Sequence, residues 1–342
     1  MGTKILQLVQ TKEIELKDLA HKKIAIDAHM YLYQFLTTIR QRDGSLLKDS
    51  KGQVTSHLIG LFSRTAKMLE HNIKPCFVFD GKAPDLKTKE RERRKSIKIK
   101  AKKDYDKAMA DEDIESMKKY ASMTTRLTGE MIQEAKELIQ AFGLPVIQAP
   151  SEGEAQAAYM VSKGKVYALS TNDADALLYG VPRLIKNLSV SGKRKKPGQL
   201  AYVTVKPELI ETPKVLQSLD INLDQLIIIA ILVGTDYNYG GIKGIGPKKA
   251  LKLVKENKDF ETIFELVKWN ETFKIPWKEI FDLIKNMPTT DDYELEWKPI
   301  NIEKLKQLLC EKHDFTQERV DNTLNKLKST LQSDQQGLGK FF

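Results

Sequence analysis

Cysteine is scarce in this sequence of 342 residues, since only Cys76 and Cys310 occur and they stand far apart in the chain. Two cysteines at such a separation argue against a disulfide scaffold or a thiolate metal site, and they suit a reducing compartment. The five histidines show no spacing typical of a zinc site, so zinc is not expected. We predict that both cysteines are inert packing residues.

Long apolar runs and nucleotide-binding loops are also missing. The longest apolar run, Leu226 to Val233, is far shorter than the ~20 residues that span a bilayer, and the N-terminus lacks a signal-peptide pattern. We therefore expect a soluble intracellular protein with no membrane association, cytoplasmic and nucleoid-associated in a prokaryote or nuclear in a eukaryote. The pattern Gly-x-x-x-x-Gly-Lys-Ser/Thr does not occur, which disfavours ATP hydrolysis.

Charge is abundant in both signs. The formal net charge is +10, yet the chain contains 46 acidic residues, so basic and acidic surfaces are expected to be segregated. Such a surface suits a partner that is a polyanion, although a basic balance also serves ordinary solubility. The 41% hydrophobic content is enough for the core of one large domain or two.

Several short apolar runs end in an acidic residue, and they predict buried strands separated by helical patterns. The runs are Lys23–Asp27, Cys76–Asp80 and Val166–Asp173. This alternation predicts an α/β fold with a mainly parallel central sheet flanked by helices. Because the carboxyl ends of parallel strands meet at one ligand crevice, we expect Asp27, Asp80 and Asp173 to lie close together.

A long polar stretch, from Lys82 to about Arg126, follows the second of these runs. Its first part, Lys82 to Lys103, holds eleven basic residues against three acidic ones. The stretch is either a solvated helical face or a basic arch over the crevice, and its position directly after Asp80 favours the arch. A second basic cluster, Lys193 to Lys196, predicts a loop.

The segment after Asn222 predicts a nucleic-acid contact. Asn222 to Val233 has the composition of a buried helix or strand, and the glycines of Gly241–Ala250 permit a tight turn before a helix that starts near Pro247. Backbone N–H groups at such a helix start, beside Lys248 and Lys249, would bind phosphate. A plain turn between helices is the alternative.

Two close acidic pairs, Glu152 with Glu154 and Asp173 with Asp175, suggest a metal centre. Each pair has a structural alternative, a helix capping box that starts at Ser151 for the first and a turn for the second. Together with Asp27, Asp80 and Asp236 these pairs make a cluster of seven carboxylates, which could not all ionise without cations. Hard oxygen ligands favour Mg²⁺ or Mn²⁺. Two such ions could activate a water and stabilise the attacking and leaving oxygens in the hydrolysis of a phosphodiester. The full set is Asp27, Asp80, Glu152, Glu154, Asp173, Asp175 and Asp236.

Four ordered motifs carry a resemblance to a known family along nearly the whole chain. They are Phe77–Pro84, Ala149–Ala157, Asn172–Asp175 with Leu177 and Gly180, and Gly234–Asp236 leading into Gly244–Pro247. With these motifs the chain resembles the flap endonucleases, members of the XPG-type 5′-nuclease family. The absence of a long lysine-rich tail makes the resemblance closest to archaeal members. It implies a PIN/5′-nuclease-like fold with a helical arch and a helix-two-turn-helix element.

The resemblance assigns roles to individual residues. It implies that the seven carboxylates surround two Mg²⁺ ions, that Glu152, Asp173 and Asp175 bind metal directly, and that Asp27 and Asp236 act partly through water. Lys87 and Arg94 are the expected catalytic contacts to the scissile phosphate, where cations stabilise developing charge. The implied DNA contacts are Gly2, Tyr33, Arg40, Gly244, Gly246, Lys248 and Lys249, with a monovalent cation at the helix-two-turn-helix. Tyr33 could equally be a core aromatic.

The resemblance also implies an activity and an organisation. We expect a monomeric 5′ flap endonuclease with 5′–3′ exonuclease activity, acting on branched DNA in Okazaki fragment maturation and repair. A non-catalytic branched-DNA-binding protein and a related exonuclease that prefers nicks and gaps are the alternatives. We predict a nuclease domain over residues 1–325, with its N-terminal region at 1–104, the arch at 82–128, an internal region at 129–255, the helix-two-turn-helix at 232–255 and a helical part at 256–325. A tail, 326–342, follows.

The tail contains Gln335, Leu338, Phe341 and Phe342, at the first, fourth, seventh and eighth positions of its last eight residues. This spacing resembles a peptide that binds the sliding clamp. Two consecutive aromatic residues after a polar stretch would be poorly buried unless a partner covers them, although a frayed tail is the alternative. We therefore expect the sliding clamp as a protein partner.

Overall fold

A seven-stranded sheet lies at the centre of the protein, in a computed structural model that describes residues 4–190, 192–195, 202–257 and 259–338. Its order is β1-β9-β6-β5-β2-β3-β4. The four pairings among β6, β5, β2, β3 and β4 are parallel, and those of β9 with β6 and β1 are antiparallel. The prediction of a mainly parallel sheet is therefore confirmed. The strands are β1 (Lys12–Glu13), β2 (Lys23–Asp27), β3 (Lys74–Phe79), β4 (Val146–Gln148), β5 (Ala168–Ser170), β6 (Arg183–Lys186), β7 (Gly192–Lys195), β8 (Tyr202–Val205) and β9 (Glu208–Glu211).

Helices cover both faces of the sheet. They are α1 (Ala28–Thr38), α2 (Ser56–Glu70), α3 (Thr88–Ala110), α4 (Ile114–Met123), α5 (Gly129–Ala141), α6 (Gly153–Ser162), α7 (Thr212–Leu219), α8 (Leu223–Val233), α9 (Pro247–Glu256), α10 (Phe260–Leu266), α11 (Trp269–Thr272), α12 (Trp277–Lys285), α13 (Ile302–Lys306) and α14 (Gln317–Leu338). A π-helical turn, Gln307–Lys312, follows α13.

Side chains that alternate along each strand create two cores. In β2, Ile24 and Ile26 face α1, α2, α5 and α14, whereas Ala25 faces the opposite layer, which contains α6 and α8. Strand β3 alternates likewise, with Phe77 and Phe79 on the first face and Val78 on the second. Because successive strand residues point to opposite faces, strands buried on both sides contain almost continuous apolar runs.

Three predicted elements differ in detail from those observed. The strand predicted over Val166–Asp173 covers only Ala168–Ser170, because the chain then turns and Asp173 caps a short 3₁₀ helix. The segment that allowed helix or strand is helix α8, in which Asn222 caps the first turn by accepting from Gln225 N. The loop predicted for the basic cluster is wrong for Lys193–Lys195, which belong to β7 and pair with β8.

The polar stretch after β3 forms two packed helices, α3 and α4. Of the 23 residues of α3, only Glu90, Ala101 and Ala108 are buried, so most of its side chains face solvent. A helix that is polar almost all round depends on its ends and on ion pairs for its position. The arch is therefore anchored mainly at its base, near Lys87.

No single helix among the described residues is long and apolar enough to cross a membrane. Helices α7 and α8 are together long and apolar enough, but the chain bends by 81° between them.

A buried polar network joins loops and helices on the side of the sheet that carries α2 and α5. His313 Nδ1 lies 2.9 Å from Asp49 Oδ2, and His313 Nε2 lies 3.0 Å from Glu134 Oε1. Lys312 Nζ lies 3.0 Å from the same Glu134 oxygen, and His57 Nε2 is 3.5 Å from the other, too long for a strong hydrogen bond. Burial alone would raise the pKa of Glu134, but His57, Lys312 and His313 lower it to about 2. The network fastens the segment before α14 to the sheet layer.

We expect Glu134→Gln to lower the free energy of unfolding at pH 7 by about 1–3 kcal/mol, because it removes charge-assisted hydrogen bonds to buried groups. Because the pKa of Glu134 is lowered, its carboxylate contributes fully to the free energy of unfolding above the ordinary pKa of 4.5. That contribution is lost as the pH falls toward about 2. The variant should therefore show a flatter decline of stability below about pH 4.5 in urea denaturation. Glu137→Gln, an exposed change on α5, is the control. Equal slopes for the variant and the parent would contradict this role.

Candidate functional site

Acidic side chains collect at the carboxyl edge of four neighbouring parallel strands, β5, β2, β3 and β4. Asp27 ends β2, Asp80 follows β3, and Glu152 follows β4 at the N-cap position of α6, without a side-chain capping hydrogen bond. Asp173 follows β5. The parallel pairing of these strands brings the four acids to one edge, as the sequence pattern predicted for Asp27, Asp80 and Asp173.

Asp236 reaches this cluster from outside the sheet. It lies just after α8, and its oxygens contact the base of the arch, with Arg94 NH2 2.7 Å from Oδ1 and Lys87 Nζ 3.4 Å from Oδ2. Lys87 also donates to Glu152 Oε2 at 2.8 Å. Helix α3 and the α8–α9 loop therefore close one side of the cluster.

Two acids of the cluster, Asp27 and Glu154, share a single hydroxyl. Thr171 Oγ1 lies 3.0 Å from both Asp27 Oδ2 and Glu154 Oε1, and Thr171 is fully buried. A hydroxyl has one proton to donate, so it can satisfy only one of two ionised carboxylates at a time. Some further positive charge, or a proton, is needed to stabilise this pair.

The raised pKa values of Asp27 and Glu154 indicate the same shortage of positive charge. Burial, followed by the charge of Asp80, raises the pKa of Asp27 to about 7. Burial, with the charges of Asp173, Asp27 and Asp175, raises the pKa of Glu154 well above its ordinary value. Like charges that gather in a poorly solvated place disfavour ionisation unless a cation joins them.

Lys87 and Glu152 form an ion pair at the edge, with 2.8 Å between Nζ and Oε2. Burial raises the pKa of Glu152, and the nearby ammonium of Lys87 opposes that rise. Burial alone would lower the pKa of Lys87, but Glu152 and Asp236 hold it above its ordinary value. Lys87 is therefore cationic while it lies among the carboxylates.

Asp80 is held in place by backbone and ring contacts. Its Oδ1 accepts from Gly153 N at 2.8 Å, and its own N–H donates to His29 Nδ1 at 3.1 Å. A Cβ at Gly153 would lie 2.7 Å from Asp80 Oδ1, so a larger residue there would displace the Asp80 carboxylate. The capping box suggested for Ser151 and Glu154 is not formed, because the helix is capped one residue later and the Ser151 hydroxyl donates to Lys82 O.

The donor set fits a hard divalent cation. It consists of carboxylate and hydroxyl oxygens, which suit Mg²⁺ or Mn²⁺. Among the described residues, no three acidic, histidine or cysteine side chains are arranged so that they could hold one metal ion as they stand. Two of the acids, Glu152 and Asp236, instead pair with Lys87 and Arg94. Metal binding by Glu152 or Asp236 would therefore require those ion pairs to open.

Two residues expected to contact DNA lie near the arch. Tyr33 is 39% exposed, and Lys98 Nζ lies 5.4 Å from its ring centroid, so the alternative of a core aromatic is wrong. Arg40 donates from NH1 to Gly44 O at 2.7 Å and from NH2 to Thr125 Oγ1 at 2.5 Å. Arg40 thus ties the loop after α1 to the end of the arch, and its contact with DNA stays a prediction.

The glycine-rich turn has the geometry expected of a backbone anion site. Gly244 has φ +81°, and Gly246 precedes α9 as its N-cap. Lys248 and Lys249 are exposed in the first turn of that helix. Two exposed ammonium groups therefore lie at the positive end of a helix, directly after the loop that carries Asp236.

Some predicted residues lie outside the described part of the structure. Gly2 precedes the first described residue, and Phe341 and Phe342 follow the last. Gln335 and Leu338 fall within α14, of which the structure gives the backbone course. Their roles stay predictions.

Three residues that shape the cluster were missed by sequence reasoning. Thr171 has a weak signal, its position directly after a strand. Glu90 and His29 have none, because Glu90 is one acid in a basic run and His29 is a lone histidine. Only the folded chain brings Glu90 to Arg94 and His29 to Asp80.

Comparison with known protein sequences finds similarity along the whole chain. Residues 3–101 match the XPG N-terminal domain and residues 143–236 match the XPG I-region. The chain is 52% identical over 336 residues to flap endonuclease 1 of Pyrococcus abyssi, a match that covers 98% of this chain and 96% of that protein. It is 50% identical over 346 residues to flap endonuclease 1 of Thermofilum pendens, covering 100% and 99% of the two chains.

Solved structures show the same likeness. Flap endonuclease-1 from Methanococcus jannaschii superposes with a TM-score of 0.75 at 40% identity, over 97% of this chain and 100% of that one. The catalytic core of Rad2 in complex with DNA substrate superposes with a TM-score of 0.70 at 24% identity, over 96% and 100% of the two chains. At that identity the second likeness concerns the fold alone.

We expect Glu154→Gln to raise the thermal unfolding midpoint in EDTA at neutral pH, because it removes one of several charges that repel each other where they are buried. Saturating Mg²⁺ should raise the midpoint of the parent more than that of the variant, since an ion at a hundred times its Kd adds about 2.7 kcal/mol to the free energy of unfolding. Differential scanning fluorimetry measures both. Glu279→Gln, an exposed change on α12, is the control. A parent midpoint that Mg²⁺ leaves unmoved would count against a metal centre here.

Proposed function

The chain belongs to the flap endonuclease family of XPG-type nucleases, and from this premise we propose that it is a structure-specific 5′ flap endonuclease that hydrolyses phosphodiesters of branched DNA. The proposal includes 5′–3′ exonuclease activity and a role in Okazaki fragment maturation and DNA repair, with the protein acting as a monomer in the cytoplasm. The observation that carries it is the meeting of Lys87 and Arg94 with the carboxylate cluster at the base of a basic arch.

Lys87 and Arg94 serve two anionic partners in turn. Without substrate they neutralise Glu152 and Asp236. A phosphodiester that enters beneath the arch presents oxygens of the same charge, so the ammonium and the guanidinium can transfer from carboxylate to phosphate. There they stabilise the negative charge that grows during bond cleavage, and the two acids become available to other cations.

The cofactor in this proposal is a pair of Mg²⁺ ions, which Mn²⁺ can replace. The seven carboxylates at and around the carboxyl edge would hold them, with Glu152, Asp173 and Asp175 as direct ligands. When bound, the ions would supply an activated water and charge neutralisation at the phosphodiester. The shared hydroxyl of Thr171 and the raised pKa of Asp27 support a demand for positive charge in this place.

The preference for branched DNA follows from two separate binding elements. The turn at Gly244 and the lysines at the start of α9 offer a grip on duplex backbone, and a monovalent cation there would add to it. The arch offers a basic passage for a single strand directly over the carboxylates. A 5′ flap supplies both a duplex and a single strand, whereas an unbranched duplex supplies only the first.

We expect Asp173→Ala to lower the single-turnover rate of 5′ flap cleavage in Mg²⁺ by roughly 1,000-fold or more, because it removes a proposed direct ligand of the metal ions. Each factor of ten in rate corresponds to about 1.4 kcal/mol of transition-state stabilisation. Affinity for the labelled flap, measured in Ca²⁺, should change little. Asp282→Ala, at an exposed acid of α12, is the control. A parent that binds flaps but never cleaves them would identify a non-catalytic binder, and faster cleavage at nicks and gaps than at flaps would favour the exonuclease.

The second proposed partner is the sliding clamp, through Gln335, Leu338, Phe341 and Phe342. One helical turn can put the leucine and the phenylalanines on one face for an apolar groove, with the glutamine as a polar contact.

We expect removal of residues 335–342 to leave intrinsic flap cleavage nearly unchanged and to eliminate both co-elution with the clamp and stimulation by it. Replacement of Gln336 and Lys340 by alanine, at positions between the proposed anchors, is the matched control and should keep clamp binding. Undiminished binding by the shortened chain would move the main contact elsewhere.

A further inference from the structure

Glu90 is a buried acid in the most basic segment of the chain. It stands in the first turn of α3, between Lys82 and Lys103, and its side chain is only 3% exposed. Buried carboxylates require hydrogen-bonded or charged partners, so a function as a simple solvated helix residue does not fit.

The partners of Glu90 are two neighbouring guanidinium groups. Its Oε2 accepts from Arg93 Nε at 2.6 Å, and its Oε1 accepts from Arg93 NH2 at 2.8 Å. The same Oε1 accepts from Arg94 Nε at 2.7 Å. The carboxylate therefore binds Arg93 in a bidentate manner and holds one edge of Arg94.

The other end of Arg94 points to the carboxylate cluster. Its NH2 donates to Asp236 Oδ1 at 2.7 Å while its Nε stays on Glu90. Because a guanidinium is planar and rigid, a fixed Nε sets the plane in which the terminal nitrogens lie. Glu90 thus determines the direction from which Arg94 approaches the cluster.

Arg93 secures Glu90 from the opposite side. Its guanidinium carbon lies 3.8 Å from the ring centroid of Tyr239, which is 62% exposed on the α8–α9 loop. Cation–π contacts at this distance are favourable. The base of the arch is consequently joined to segment 236–239 at three points, through Arg94 and Lys87 on Asp236 and through Arg93 on Tyr239.

We infer that Glu90 is a positioning residue for the hydrolysis proposed above. Its carboxylate orients Arg94 toward the scissile phosphate and does not itself touch the substrate. The inference depends on the proposed function. When a phosphodiester replaces Asp236 as the partner of NH2, the Glu90 contact at Nε keeps the guanidinium aimed at the same place. A misplaced catalytic group of this kind can cost roughly 100-fold in rate.

The test compares Glu90→Gln with Glu92→Gln, an exposed acid two residues along the same helix. We expect Glu90→Gln to lower the single-turnover rate of flap cleavage by roughly 10- to 100-fold, with little change in flap affinity in Ca²⁺, and Glu92→Gln to leave both within about twofold. Affinity and rate lost by the same factor would overturn the inference, because that pattern belongs to a general weakening of the arch.

A double-mutant cycle separates positioning from a merely structural role. If Glu90 acts through Arg94, then Glu90→Gln has almost no further effect on the rate in an Arg94→Ala background. A full additional loss in that background would overturn the inference.

The Nε–H signals of ¹⁵N-labelled arginine, assigned with Arg93→Lys and Arg94→Lys, report on the contact without any cleavage. In the parent, the Arg94 Nε–H should be protected from exchange, and Glu90→Gln should remove that protection. An unprotected Arg94 signal in the parent would overturn the inference while flap cleavage still supports the proposed function. A protected signal in a chain that cleaves no flap would reject the proposed function, and with it the role of Glu90 in hydrolysis.

Discussion

Mutual repulsion among carboxylates at one edge of the sheet is the constraint on which the site depends. Parallel pairing of β5, β2, β3 and β4 places their acidic ends together, and burial deprives Asp27 and Glu154 of the water that would stabilise their charges. A fold that gathers acids in this way must supply protons, basic side chains or metal ions. The surrounding structure supplies the basic side chains and leaves room for an exchange with other cations.

Ion pairs with acids of this same cluster hold the arch to the rest of the protein. Helix α3 buries few residues, so its base is held by Lys87 and Arg94 on acids of the cluster and by Glu90 between two arginines. In the proposed mechanism phosphate competes for those cations, so substrate binding and the position of the arch would be linked physically. An anchor built from ion pairs can open for an anionic substrate, whereas an apolar anchor would be indifferent to it.

The loop between α8 and α9 connects the proposed duplex-binding turn to the carboxylate cluster. One short segment carries Asp236, which faces the cluster, and Tyr239, which faces Arg93, and it leads directly to the turn at Gly244. If a duplex binds the start of α9 as proposed, it contacts the element that also contacts Arg94. The position of the duplex would then influence the geometry of the site over a short length of chain.

Local patterns in the sequence determined the parallel sheet, the acids at the strand ends, the basic arch and the helix start near Pro247, because each depends on periodicity or on residues adjacent in the chain. The clustering of Asp27, Asp80 and Asp173 was predictable for the same reason, since strand direction alone brings strand ends together. Tertiary structure alone decided the partners made across long separations. Thr171 between Asp27 and Glu154, Lys87 on Glu152, and Glu90 on Arg94 with Arg94 on Asp236 depend on how helices and loops pack, and no local pattern encodes that packing. It was likewise packing that set Tyr33 at the surface and His313 in a buried network, because the composition of their segments allows either environment.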